Sequence, residues 1–458
     1  MTALEKISLS FILLPTLPAI AGQPPKPNFI VILTDDQGWS STSLRMDQHV
    51  NNSLSDYYET PNMARLANNG MRFSNGYAPC ALSCPTRRSI LYGQTPMRQG
   101  DDQQFKENYC PGSNQLTIPA MLKSIDPAYK TAHYGKWDLR AGFFPEDMGY
   151  DESDGNTGNQ NGSVFSDESI KFIEVYQKND PKRIETITAR AVNFMKRQTK
   201  SGNPFYLQIS HYAVHVDIQT KAKTYQKYQE KQKGVIHQNA GWAAMLADLD
   251  SGIGLLLDAI DSMGIADHTY IILMSDNGGV EAIPPIKKKF DHPSQLPPSL
   301  NSPLRAGKWT LYEGGIRVPF IVSGPGIQAG SQCDTPVVGW DILPTLSDLA
   351  GNKRKLPDHI DGESIRPLLM GSNQEIHRKA NGLVFHYFSN NPHSAIRVGD
   401  YKLIKFWSTG KVELYNLKTD LGERNDLSTT MPVKVKELEQ HLMAYAKAVN
   451  AVQLKMEN

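Results

Sequence analysis

The chain has 458 residues, 40% of them hydrophobic, which is enough for one large core and a smaller companion unit and excludes disorder as the default. Lys plus Arg number 48 against 47 for Asp plus Glu, so no broad positive field exists to capture nucleic acid or a membrane surface. An anionic ligand would have to be held by a local cluster of bases.

Residues 1–22 carry Lys6, an apolar run from Ile7 to Ile20 and the triplet Ala19-Ile20-Ala21, which together have the form of a cleaved signal peptide; Glu5, Pro15 and Pro18 fit that form less well. The run is shorter than the ~20 apolar residues that a membrane span requires. No later segment has that character, so the expectation is a periplasmic or secreted protein with no membrane span. The cysteines at 80, 84, 110 and 333 have no zinc-type spacing, and export permits disulfides without dictating a pairing.

Next, residues 28–34 form a β-rich apolar run that ends in Asp35-Asp36-Gln37-Gly38. This reads as a buried strand delivering carboxylates at its C-terminal end, where open α/β sheets place their chemistry. Thr60-Pro61, then Met63, Leu66 and Gly70, reads as a short helix with Pro in its first turn and Gly at its stop. Further strands are expected over 131–134, 205–210, 270–275 and 319–323, with helices over 184–197, 240–263 and 342–349. The alternation predicts an α/β fold with a mostly parallel sheet flanked by helices. After Gly371 the texture changes to short strands over 394–398, 401–407 and 411–417 and an amphipathic helix over 433–449, a small antiparallel subdomain. The chain therefore divides into a leader over 1–22, a main unit over 23–372 and a C-terminal subdomain over 373–458. Arg397, between Ile396 and Val398, reads as a solvated edge residue.

Five segments carry candidate chemistry. The most informative is Ser83-Cys84-Pro85-Thr86-Arg87-Arg88-Ser89-Ile90-Leu91-Tyr92-Gly93, a serine with Pro two and Arg four residues on, at the head of a helix that stops at Gly93. Alone it reads as a capped helix N-terminus. The others are the strand and turn through Asp35-Asp36, Gly135-Lys136-Trp137-Asp138, Ser275-Asp276-Asn277-Gly278, and Gly307-Lys308 with Glu313-Gly314-Gly315-Ile316-Arg317. Asp35, Asp36 and Asp276 with the Asn277 amide oxygen make a hard oxygen set that suits Ca²⁺ or Mg²⁺ and disfavours zinc.

In this order the segments resemble the type I, formylglycine-dependent sulfatases of the alkaline-phosphatase superfamily, and the likeness continues through Tyr401-Lys402-Leu403 and Glu413 to Leu417. The resemblance implies an alkaline-phosphatase-like fold. It also implies that Ser83, in register with Pro85 and Arg87, is oxidised to formylglycine by a maturation enzyme of the serine type. Asp35, Asp36, Asp276 and Asn277 would bind the metal, Ca²⁺ or alternatively Mg²⁺, together with an oxygen of residue 83. Arg87, Lys136 and Lys308 would then face the sulfate: they lift a formal site charge of −1, ion included, to +2. His215, with His211 as competitor, would contact the sulfate and the leaving oxygen.

Two departures stand out. Tyr92 replaces the usual small residue, and Asp138 stands where a histidine is usual. That histidine helps deprotonate the modified residue, whereas an aspartate, of pKa about 3.9, is a weaker base unless burial raises it. Lys136 and Asp138, two apart in extended backbone, would project into one pocket; His133 is a second candidate base. The implied reaction is attack on sulfur by one hydroxyl of the aldehyde hydrate, protonation of the leaving alcohol by His215 or Lys308, and expulsion of sulfate by the second hydroxyl. The substrate class implied is a sulfated carbohydrate. A phosphonate or phosphodiester hydrolase of the same superfamily and a non-catalytic sulfoglycan-binding protein are the alternatives.

Overall fold

The computed structural model describes residues 26–162, 174–177, 180–281, 300–372 and 375–451. The leader expected over 1–22 lies outside them. Strand Asn28–Thr34 is buried on both faces, because successive strand side chains alternate and both sides of the sheet are covered. Phe29, Val31 and Leu33 enter one apolar cluster, and Ile30 and Ile32 enter the other.

This strand lies within an eight-stranded sheet whose order is Ser331–Cys333, Gly70–Phe73, Phe320–Ser323, Thr269–Ser275, Asn28–Thr34, Phe205–Ser210, Lys130–Gly135 and Glu152–Ser153. Neighbours run parallel except at Phe320–Ser323, which is antiparallel to both of its partners. Helices Pro61–Asn68, Ile184–Ser201 and Ala240–Ser262 cover one face, through Met63, Phe194 and Leu249 among others. Ile118–Ile125, Ile342–Leu349 and the C-terminal half of Ser83–Tyr92 cover the other. The expected α/β architecture is thus present, with its predicted strands and helices displaced by at most a few residues at their ends.

The C-terminal sheet runs Leu383–Tyr387, His393–Val398, Tyr401–Phe406 and Val412–Asn416, each antiparallel to the next. Helix Pro432–Ala448 covers one face through Leu438, Leu442 and Tyr445. The opposite face packs Phe385, Ala395 and Ile404 against Tyr77, Ala81, Leu311, Ile316 and Trp340 of the main unit. Those last residues flank Ser83 and Lys308, so the small sheet supports two of the chemistry-bearing segments from behind.

Arg397 corrects an expectation. It is buried rather than solvated, and its guanidinium donates to Asn75 Oδ1 at 2.8 Å and to the Tyr77 hydroxyl. A charged residue on a strand face is buried when a distant segment supplies polar partners, and no local pattern signals that. All four cysteines are free thiols. Among the described residues no helix is long and apolar enough to cross a membrane.

Candidate active site

Four neighbouring parallel strands end at about the same level, and the residues that follow them build the site. Thr34 pairs with Ser275 and Leu33 with Ser210, while Gly135 pairs with Ser210 on the other side. Asp35, Asp276 and Lys136 each follow directly, so the parallel register itself brings two carboxylates and an ammonium together. Asp36, in the left-handed region at φ 57°, turns the chain, and its N–H donates to Asp276 Oδ1 at 3.2 Å. Gly278 lets the loop after Asp276 meet the Lys308 segment: a Cβ there would lie 1.9 Å from Gly314 O.

Ser83 is not the N-cap, which is Leu82, but the first residue of helix Ser83–Tyr92. Its hydroxyl reaches toward Asp35 Oδ1 at 3.4 Å and Asn277 Oδ1 at 3.2 Å. The neighbouring thiols turn elsewhere, Cys84 to Leu139 O and Cys80 to His386 O. One helical turn on, and hence on the same face, Arg87 donates to Asp276 Oδ2 at 2.7 Å and 3.1 Å and to Asp35 Oδ2 at 3.4 Å. Lys136 Nζ lies 2.5 Å from Asp35 Oδ2, and Lys308 Nζ 2.8 Å from Asp36 Oδ2. Asn277 completes the ring by donating from Nδ2 to Asp36 Oδ1 at 2.7 Å.

Asp35, Asp36, Asp276 and Asn277 are wholly buried. Such burial pushes the Asp35 and Asp36 carboxyls up, but Lys136 and His215 around the first, and Lys308 and His215 around the second, more than reverse this. Both are held below the ordinary carboxylate value and stay ionised. Three buried carboxylates facing three cations, with one amide oxygen turned inward, supply the oxygen donors that fit a hard divalent ion, and a ring nitrogen of His215 lies within 4.8 Å of carboxylate oxygens of Asp35 and Asp36.

His215 Nε2 is 3.8 Å from Asp36 Oδ2. Burial lowers its pKa against the pull of Asp36 and Asp35, whereas Lys308 is held above its usual value because those same carboxylates outweigh burial. The other histidines do not join this cluster. His133 is wholly buried, bonded to Ser210 Oγ at 3.1 Å and packed edge-on to Trp137 and Tyr150, and burial pushes its pKa down to about 3. His211 is buried too, with its pKa lowered to about 4.

Asp138 is not in extended backbone: the strand ends at Gly135 and Asp138 takes φ 50°. Its carboxylate nonetheless meets Lys136 Nζ at 3.6 Å, and Arg140 Nε lies 3.7 Å away on the other side. Sequence reading missed Lys182. This lysine is buried beneath a kink of two left-handed residues, Lys182 and Arg183, and burial lowers its pKa to about 8 against the pull of Asp217, Asp35 and Asp36. It adds a fourth cation to the surroundings of the acidic pair. The one local signal was a lysine beside the start of a helix, which is common and carries no meaning alone.

A family model for sulfatases matches residues 27–352, and one for the C-terminal region of N-sulphoglucosamine sulphohydrolase matches 306–449. A sulfatase of Formosa agariphila is 29% identical over 502 residues, covering 89% of this chain and 85% of the relative. The N-acetylgalactosamine-6-sulfatase of Mus musculus is 27% identical, covering 89% and 77% respectively. The structure also resembles that of Ps i-CgsB in complex with k-i-k-neocarrahexaose, with a TM-score of 0.73 at 24% identity over 94% of each chain.

Proposed function

The chain belongs to the sulfatase family and is a sulfuric ester hydrolase, and from that premise we propose that it removes sulfate from a sulfated carbohydrate with a formylglycine made from Ser83. Asp35, Asp36, Asp276 and Asn277 hold one divalent cation, Ca²⁺ or Mg²⁺. The observation that carries this reading is the placement of Ser83. Alone among Cys80, Ser83 and Cys84, it turns its side chain to Asp35 and Asn277, inside a buried ring of carboxylates and cations. The name of the Mus musculus relative, an N-acetylgalactosamine-6-sulfatase, supports a sugar as the alcohol, and the leader read over 1–22 supports export to the periplasm or medium.

When bound, the cation would polarise sulfate oxygens, and the aldehyde hydrate at residue 83 would supply a nucleophilic oxygen. The remaining work falls to side chains already in place. Arg87 fixes Asp276 and, through Lys136 O at 2.5 Å, the end of the neighbouring strand, so helix and sheet hold one geometry. Lys136 and Lys308 add positive charge where charge develops on the sulfate, in a water-poor site where such charges act strongly. Lys308 Nζ keeps its proton through neutral pH and is the donor to the leaving oxygen; His215, held below its usual pKa by burial, enters neutral and orients the ester.

The test is expression with a serine-type maturation enzyme, followed by peptide mass spectrometry and sulfate release across sulfated mono- and oligosaccharides, with phosphate monoesters for comparison. Loss of two hydrogens at Ser83 and preferential sulfate release are expected. Intact serine in active enzyme, or no sulfate released from any saccharide by fully converted protein, would overturn the reading.

A further inference from the structure

Five of the six tryptophans, Trp39, Trp137, Trp242, Trp340 and Trp407, are buried, whereas Trp309 is 52% exposed. It directly follows Lys308. Its φ of 74° lies in the left-handed region, which a bulky L residue seldom adopts and which costs free energy. Two backbone hydrogen bonds hold it there. The Trp309 N–H donates to Ala81 O, two residues before Ser83, and the Lys308 N–H donates to Gly279 O, two residues after Asn277, each at 2.9 Å. The indole is therefore mounted on backbone tied to both the nucleophile segment and the segment of the second carboxylate. The Lys308 ammonium lies 5.4 Å from the centre of its ring and 2.8 Å from Asp36 Oδ2.

A strained backbone carrying a half-exposed indole is disfavoured in both respects, and strain of this kind clusters at sites where it positions a ligand. The chemistry of the neighbourhood says which ligand. With Lys308 facing the sulfate, the adjacent indole, whose ring centre is 5.4 Å from the Lys308 ammonium, borders the space that the group attached to the ester oxygen would take. A pyranose ring offers an apolar face of C–H groups bordered by hydroxyls, which matches a flat aromatic surface that is apolar across its face and polar at one edge. We propose that Trp309 is the stacking platform for the pyranose that bears the scissile sulfate, and so a specificity-determining residue. This rests on the sulfated-carbohydrate reading above.

Glycine is at ease at the backbone angle of Trp309, so Trp309→Gly removes the ring without disturbing the chain and is expected to melt no lower than wild type. Binding is measured by calorimetry on full-length protein with Ser83 unconverted and Ca²⁺ added, using inorganic sulfate, N-acetylgalactosamine 6-sulfate and carrageenan oligosaccharides as probes. Trp309→Gly should weaken saccharide binding about tenfold while leaving sulfate affinity within about twofold, and Trp309→Phe should retain most of the saccharide affinity. In matured enzyme the loss should appear in KM and not in kcat. Equal saccharide affinity in wild type and Trp309→Gly, including none in either, would overturn the proposal, as would a parallel loss of sulfate affinity or a Phe variant no better than Gly. Failure of the carbohydrate reading is distinct, since it shows as wild-type enzyme that releases no sulfate from any saccharide.

Discussion

Asp138 illustrates how much of the site depends on single side chains. It is nine-tenths buried, its Oδ2 accepts no hydrogen bond among the described residues, and cations flank it at 3.6 Å and 3.7 Å. An unsatisfied carboxylate oxygen in a buried polar site is costly unless it serves the chemistry. If it accepts a proton during the second half of the reaction, Asp138→Asn should release a first equivalent of alcohol at near-normal rate and then turn over slowly. A steady-state rate close to wild type with no burst would exclude that role. Asp276 pairs with Arg87 and is a proposed ligand of the cation, so Asp276→Ala should abolish activity and bound metal together and leave Arg87 buried without its 2.7 Å partner. Metal analysis and melting curves would check this. Full metal content in the variant would remove Asp276 from the ligand set, and the stability loss should be on the order of 3 to 5 kcal/mol, the usual cost of breaking a buried pair. At this scale the sequence exposes residues that directly follow strands or sit one helical turn apart, such as Asp35, Asp276, Ser83 and Arg87. It hides Lys182, whose burial follows from a kink rather than from any periodic pattern.

Between elements, the decisive contact is ionic. Lys402, on the C-terminal sheet, lies 2.9 Å from Glu313 and 2.9 Å from Glu423, all three wholly buried, and Glu423 accepts the Glu313 N–H at 2.7 Å. Glu313 opens the short helix that follows the Lys308 segment. Lys402→Met would leave two buried carboxylates facing each other, and should cost about 3 to 5 kcal/mol in chemical denaturation and lower kcat through a loosened Lys308. A variant as stable as wild type would show the network to be dispensable. The two carboxyls respond oppositely to this environment. Burial raises Glu423 from 4.5 to about 7, while Lys402 and Arg317 hold Glu313 well below its usual range against burial. Between 4.5 and about 7 the folded protein holds a proton on Glu423 that the unfolded chain has lost, so stability falls as pH rises through that window. Glu423→Gln keeps the neutral form throughout. Its melting temperature relative to wild type should therefore rise from about pH 5 to about pH 8, and a constant offset would reject the titration of Glu423. Longer elements were legible from periodicity. Edge strands of two to four residues, such as Glu152–Ser153 and Ser331–Cys333, give no pattern long enough to read.

For the whole molecule, the consequence is that the main unit is incomplete alone. Deleting residues 373–458 would uncover Tyr77, Ala81, Leu311, Ile316 and Trp340 and leave Glu313 with Arg317 but without Lys402. The shortened chain should aggregate or lose near-ultraviolet circular dichroism, and a soluble, active product would contradict the packing described. What the sequence determined by itself was the α/β alternation, the carboxylates at strand ends, the spacing of Ser83 and Arg87, and the order of segments that marks the family. Each is local, because strand period, helix period and turn chemistry are written within a few consecutive residues. Only the tertiary structure decided which charged and polar groups are buried and against what. It set His215 beside Asp36 and His133 in packing contact with Trp137, and it turned Arg397 inward onto Asn75. The physical reason is that a charge stays buried only where partners and shelter are both supplied, and here they come from residues hundreds of positions away, as Asn75 does for Arg397 and Asp36 for Lys308.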